Sequence, residues 1–313
     1  MATPLRTRSE ILFLYDVTDA NPNGDPIDEN RPRVDEETGQ NMVSDVRLKR
    51  TVRDYLFGYK GCEVFVRGIV ESDGKLRTKE KRQEELGSTA ESILEKCVDL
   101  RLFGATIAVK GQSMTATGPV QFKFGRSLHP VEVVHVRGTT VMPSGTDRAQ
   151  GTFTDAFILP YSLIAFYGVV NENAAALHNQ MPLPREVWLT EEDVALMLEG
   201  LWHGTKQLIS RSKFGQMPRL LLHIVYKDAG FFLGQLDHLV RLETYGKQGQ
   251  QLRRVEELAL DVTQLAVRLD GNRQRIRRVQ WAWDPDLSLL VEGKPINRLE
   301  EMVAGVEYEP LFA

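Results

Sequence analysis

Three groups of residues in this sequence have types and spacings that could do chemistry. The first is acidic: Asp19, Asp25 and Asp28 lie in a stretch broken by Asn21, Pro22, Asn23, Gly24 and Pro26. Carboxylates gathered on such a loop can hold a divalent cation and orient a water for phosphodiester attack. Turn chemistry selects the same residues, because Asn and Asp side chains bond to their own backbone, so the two readings compete. The second group is Arg47, Lys49, Arg50 and Arg53, four bases within seven positions. The third is Ser210, Arg211, Ser212 and Lys213. Guanidinium and ammonium groups neutralise a phosphate backbone without reading its sequence, and Ser210, Ser212 and Asn23 add hydrogen-bonding capacity.

Other chemistries lack their residues. The Gly-Lys pairs are followed by Leu76, Gln248 and Pro295, so no standard phosphate-cradling loop is present. Gly-x-Gly-x-x-Gly after a strand, the Gly-x-Ser-x-Gly elbow and His-Glu-x-x-His are absent, and the six histidines never take a paired helical ligand spacing. Two cysteines, Cys62 and Cys97, are too few for a disulfide framework or a cysteine-based zinc site, and read as small buried hydrophobes. We therefore expect no catalytic residue, no metal and no cofactor.

The elements that must position the basic groups follow from periodicity. Residues 10–17 (EILFLYDV) form a short apolar and aromatic run that predicts a buried strand, and the Asn-Pro-Asn-Gly-Asp-Pro segment ends it in a long structured loop. Ser44 is a good N-cap for a helix to residue 57, in which Leu48, Val52, Tyr55 and Leu56 form one stripe and the four bases fan over the other side. Further on, the pattern predicts a strand at 63–70, a helix with core positions Leu86, Ala90, Ile93, Leu94, Cys97 and Val98, and strands at 120–124, 131–137 and 156–170. A helix opens after Thr190 with the stripe Val194, Leu198, Leu201, Trp202, Thr205, Leu208 and Ile209. A strand follows at 219–226, which 236–242 could join; 253–269 reads as helical and 287–291 as a last strand. This order is α+β and compatible with a split β-α-β sheet of ferredoxin type.

Composition narrows the class. The 313 residues allow two small domains or one core with sizeable insertions, and 42% hydrophobic with 26% charged residues excludes collagenous or wholly disordered chains. No apolar stretch reaches the roughly 18 residues of a membrane helix, and no signal-type run follows the N-terminus, so a cytoplasmic protein without membrane contact is expected. The net charge of −4 hides segregation. From residue 16 to 45 nine acids face only Arg31 and Arg33, whereas from 205 to 227 five bases face no acid. Such blocks can give an acidic protein a one-sided basic surface.

At residues 21–33 (NPNGDPIDENRPR), continuing through Arg33-Val34-Asp35 and 44–50 (SDVRLKR), the sequence resembles the CRISPR-associated backbone subunit of type I Cascade effector complexes, closest to the subtype I-B and I-C branch. Further matches fall at 99–105 (DLRLFGA), at 118–121 (GPVQ) with Arg126-Ser127, and at Pro160-Tyr161. The resemblance implies a modified RNA-recognition-motif palm, here with 60–117 as finger insertion and 138–154 as thumb hairpin. It implies copies stacked head to tail along the CRISPR RNA (crRNA), a target DNA strand paired to that guide, other Cascade subunits as partners, and no catalysis. Arg47, Lys49, Arg50 and Arg53 would then grip guide phosphates beside Asn21, Asn23 and Ser44, with Arg101, Arg126, Arg148, Ser210, Arg211 and Lys213 as further contacts. The aromatic signature of ordinary RNA-recognition motifs is missing, which argues against stacking bases on the sheet face. Two rival readings stand beside this one: a metal-dependent ribonuclease using loop 16–35, and a general single-stranded RNA binder.

Overall fold

In the computed structural model, which describes residues 3–87, 89–109, 112–139, 153–181 and 183–312, the first apolar run is the strand Ser9–Ala20. It pairs antiparallel with Phe153–Val170 on one side and Gln216–Tyr226 on the other. Ile276–Trp283 and Tyr308–Pro310 extend one flank, Gly125–Pro130 and Gln40–Val43 the other. Val120–Phe122 and Val134–Thr139 pair elsewhere along Phe153–Val170, which completes a nine-stranded, mostly antiparallel sheet. The fold is α+β, as the element order predicts.

Both faces of the sheet's centre are covered, so the central strands Ser9–Ala20 and Gln216–Tyr226 are buried along nearly their whole length. On one face Ile11, Phe13, Tyr15 and Val17 meet Leu48, Val52, Tyr55 and Leu56 of the helix Asp45–Gly58, and Val194, Met197, Leu198 and Leu201 of the helix Glu191–Lys206. The two helices lie close because the second presents glycines to the first. A Cβ at Gly204 would stand 2.9 Å from the Cβ of Tyr55, and one at Gly200 would stand 3.0 Å from Val52. On the other face Leu12 and Leu14 pack under the C-terminal third, where Arg241–Glu243, Ala259–Asp261, Ser288–Val291 and Lys294–Ile296 form a small second sheet and Thr263–Asp270 a helix. Among the described residues no helix is long and apolar enough to cross a membrane.

Several elements differ from the sequence expectation. Residues 63–70 are not a strand: the Asp99 carboxylate takes the N–H groups of Phe65 and Val66 at 2.7 and 3.1 Å, so the segment needs no ladder partner. The single helix over 86–98 is instead three, Lys79–Leu86, Ala90–Lys96 and Val98–Phe103, broken at Gly87 (φ 153°) and at the extended Cys97. The stripe itself is buried: Leu86, Ala90, Ile93, Leu94 and Cys97 join Phe65, Leu100 and Ile107 in a separate cluster, while Val98 packs into the main core. Residues 156–170 belong to one strand despite Pro160. The strand expected at 131–137 begins only at Val134. Residues 236–242 do not join 216–226, because Ile276–Trp283 occupies that edge. In 253–269 only the part from Thr263 is α-helical. The helix from Glu191 ends at Lys206, so Ile209 leaves the predicted stripe and is 77% exposed; Trp202 is half-buried. Both cysteines are free, and burial pushes the Cys97 thiol up to about 12.

His223 sits buried in the sheet. Gln280 donates its amide to Glu309 at 3.1 Å, which turns its oxygen toward His223 Nδ1 at 2.9 Å; Nε2 then accepts the Ser9 hydroxyl at 2.7 Å. Burial lowers the pKa of this ring to about 4 from an ordinary 6.5. The unfolded chain therefore takes up a proton that the folded chain refuses, and stability present above pH 6.5 is lost as pH falls toward 4. Asp16, whose carboxyl burial pushes up to about 6, titrates in the same window with the opposite sign. A comparison with His223→Gln isolates the histidine. By urea unfolding, the stability difference between wild type and variant should move by roughly 3 kcal/mol against wild type between pH 7 and pH 4, from 1.36 kcal/mol per pKa unit. A difference independent of pH would show that His223 titrates alike in the folded and unfolded chain, so that burial does not depress it.

Candidate nucleic-acid interface

The Asn-Pro-Asn-Gly-Asp-Pro loop is tied down where the first strand ends. Asn23 Oδ1 accepts both the N–H and the hydroxyl of Ser44, at 2.9 and 3.0 Å. The Ser44 oxygen in turn caps the first helix by accepting the Arg47 N–H at 3.3 Å. Asn21 donates its backbone N–H to the Ser212 carbonyl at 2.7 Å and its side-chain amide to Asn30 O at 2.7 Å. Gly24–Asp25 pairs with Arg31–Pro32 to close the loop on itself. Three segments far apart in sequence thus converge: 21–23, 44–47 and 210–213.

Two cations in this convergence have no carboxylate partner among the described residues. Arg47 donates through Nη2 to Thr51 Oγ1 at 2.9 Å, and Lys213 through Nζ to Ser212 Oγ at 3.1 Å; neither makes an ion pair. Burial pulls the Arg47 guanidinium below its usual pKa, and Lys213 is lowered first by burial and then by the charge of Arg47. Two partly desolvated like charges held together are destabilised until an anion joins them. Arg211 is exposed and likewise makes no ion pair among the described residues, and exposed Ser210 offers its carbonyl to the N–H groups of Lys213 and Phe214 at 3.2 and 3.1 Å.

The other expected bases are not brought to this point as free charges. Arg53 and Lys49 do not fan over an open face: both are buried against Phe103, Arg53 bonded to Asp99 at 2.8 Å and Lys49 to Asp45 at 2.9 Å. Arg50 is half-exposed and pairs with Asp54 at 2.7 Å. Arg101 grips Asp193 through two bonds, at 2.6 and 2.9 Å, and gives Nη1 to the carbonyls of Leu94 and Glu95, so it braces the helix start at Glu191. Arg126 pairs with Asp35 at 2.7 Å. Arg148 and most of the expected thumb lie outside the described residues; Val134–Thr139 and the start of Phe153–Val170 pair at its base. The sequence reading also missed a groove of about 460 Å³ lined by Arg50, Arg67, Arg77, Lys79 and Arg82, whose Arg67, Arg77 and Arg82 are neutralised by Glu63, Glu71 and Glu85.

The acidic group disperses in the same way. Asp16 is in the strand, buried, and bonds Arg219 at 2.8 Å and the Tyr161 hydroxyl at 3.2 Å. Asp25 pairs with Arg33 at 3.2 Å, which with the Ile27 N–H lowers its pKa, and Asp28 lies 3.9 Å from Arg31. Among the described residues no three acidic, histidine or cysteine side chains gather as a metal site.

Comparison with known proteins gives the family and the fold. The family model of CRISPR-associated protein Cas7 matches residues 7–263. The CRISPR-associated protein Cas7 of Haloferax volcanii is 33% identical over 323 residues, covering 93% of this chain and 91% of its own. Among solved structures, a chain of a "CRISPR RNA-guided surveillance complex, pre-nicking" superposes with a TM-score of 0.56 at 14% identity, covering 97% of this chain and 96% of its own. A chain of a second "CRISPR RNA-guided surveillance complex" gives 0.51 at 18%, covering 88% and 89%. At those identities the structures speak for the fold, while the family model and the archaeal relative speak for descent: the chain belongs to the CRISPR-associated Cas7 family.

Proposed function

We propose that this protein is a non-catalytic backbone subunit of a type I Cascade complex, in the I-B/I-C branch that its loop and helix motifs resemble. Copies assemble head to tail along the crRNA and hold its phosphates while the bases pair with target DNA. The observation that carries this reading is the pair Arg47 and Lys213, two cations without carboxylate partners among the described residues, at the point where three elements meet: a capped helix start, a tied loop and the 210–213 turn. A phosphate bridging them relieves their repulsion and meets the Ser212 hydroxyl beside them. The strand order Gln216–Tyr226, Ser9–Ala20, Phe153–Val170, Gly125–Pro130, with both long helices on one face, supports a ferredoxin-type palm. Residues 60–117, with their own buried cluster, suit the finger, and the hairpin based at Val134–Thr139 suits the thumb.

Arg47→Ala and Lys213→Ala should each weaken binding of single-stranded RNA and reduce the slope of log affinity against log salt by about 0.7, the value for one single-strand phosphate contact. A slope unchanged in both variants would overturn the assignment of this site. Light scattering on wild type with RNAs of increasing length should show particles that grow stepwise; a fixed size would favour a general single-strand binder. Magnesium-dependent RNA cleavage that disappears in Asp25→Ala would favour the ribonuclease.

The paired bases should behave differently from these two. Arg53→Ala strips the partner from a fully buried Asp99 and should cost about 3 kcal/mol in urea unfolding, whereas Arg50→Ala, at an exposed pair, should cost under about 1 kcal/mol.

A further inference from the structure

Beside Arg47 and Lys213, which make no ion pair among the described residues, the chain exposes apolar side chains. Helix Glu191–Lys206 stops short of the end of its apolar stripe, and the turn that follows presents Ile209 at 77% and Phe214 at 68% exposure. Phe214 is held there by its own backbone, whose N–H donates to the Ser210 carbonyl at 3.1 Å, and Gly215 (φ 94°) then turns the chain back into the strand Gln216–Tyr226. The same turn is fixed from the other side by the Asn21 N–H on Ser212 O. A large ring kept in water on a doubly anchored turn, one residue from Lys213, satisfies no packing requirement of the monomer. Aromatic rings next to phosphate-binding cations are the two components from which single-stranded nucleic acid sites are assembled, the ring stacking a base and the cation holding its phosphate.

We propose that Phe214 is a stacking platform for a guide base, carried by the nucleotide whose phosphate lies on Arg47 and Lys213, with Ile209 flanking the same surface. This rests on the guide-binding reading and adds a second kind of contact to it. Because every base has a π-face, the contact is indifferent to sequence, as a protein that must hold any guide requires. It also places stacking on a loop rather than on the sheet face, whose central strands are covered on both sides.

The test uses the full-length chain, fluorescence anisotropy, and two labelled 30-nucleotide probes, oligo(U) RNA and the same ribose-phosphate oligomer lacking its bases. Phe214→Ala should bind oligo(U) roughly 5- to 150-fold more weakly, the range for loss of one stacked base, and should bind the abasic oligomer as wild type does. Phe214→Trp should retain oligo(U) binding. Equal weakening on both probes would show that Phe214 shapes the turn instead of stacking, and no weakening on either would show that it faces no base; both overturn the proposal. Arg47→Ala and Lys213→Ala must weaken both probes. If they bind like wild type, or if wild type binds neither probe, the guide-binding reading itself fails, an outcome separable from failure of the stacking contact.

Discussion

Two carboxylates buried in an otherwise apolar strand set the register of the whole sheet. Glu10 and Asp16 lie on the same face of Ser9–Ala20 as Leu12 and Leu14, and both are essentially without solvent. Glu10 accepts hydrogen bonds from the hydroxyls of Tyr167 and Tyr226 and from the N–H groups of Leu233 and Gly234 at 2.7 and 2.8 Å. Asp16 meets Arg219 and Tyr161, and Arg219, raised in pKa by Asp16 and Asp284 against its own burial, stays charged. These partners sit on the two neighbouring strands and on the segment that follows one of them. A slip of one residue would turn both acids to the opposite apolar face and leave them unpaired, at a cost of several kcal/mol each. Burial of both faces makes the sheet stable, and the acids make it single-valued.

That register decides where the first strand ends, and the interface is built from its end. The chain leaves the sheet at Ala20, and Asn21 and Asn23 spend their side chains on Asn30 and Ser44. The start of the helix Asp45–Gly58 is therefore fixed relative to the sheet by a carboxamide. Packing of that helix onto Gly200 and Gly204 then fixes the second helix, whose end delivers the 210–213 turn to the same place. Each step is short-range. Together they hold Arg47 and Lys213 near one another although 166 positions separate them in sequence.

The sequence made legible what depends on local pattern: the first strand, the capped helix, the core stripe over 86–98, the helix after Thr190 and the strand at 219–226. Residues 63–70 escaped because an acid 33 or 34 positions away supplies the bonds that a neighbouring strand would. Most of the C-terminal third escaped because its short strands pair mainly with one another, although the strand expected at 287–291 is present as Ser288–Val291. For the candidate interface, residue type alone overcounted the available charge, because most of the expected bases are paired with acids of the same chain. On the basic helix Arg47 and Arg53 are alike in sequence, six positions apart. Asp99, brought in by an inserted helix, makes one of them a buried strut, and its absence leaves the other open.

The proposed guide contact, with Arg47, Lys213 and at most Arg211 as its open cations, has a consequence for assembly. A site with two or three phosphate contacts binds one short RNA segment weakly, since each exposed contact in water and salt is worth little by itself. Affinity must then come from repetition: a guide already held by one subunit meets the next at a high effective concentration, so each added copy gains more than an isolated copy would. A chain that neutralises most of its arginines internally, as this one does with Arg53, Arg82, Arg101 and Arg219, avoids gripping stray nucleic acid as a monomer. On the proposed reading, it becomes a strong binder when several copies share one strand.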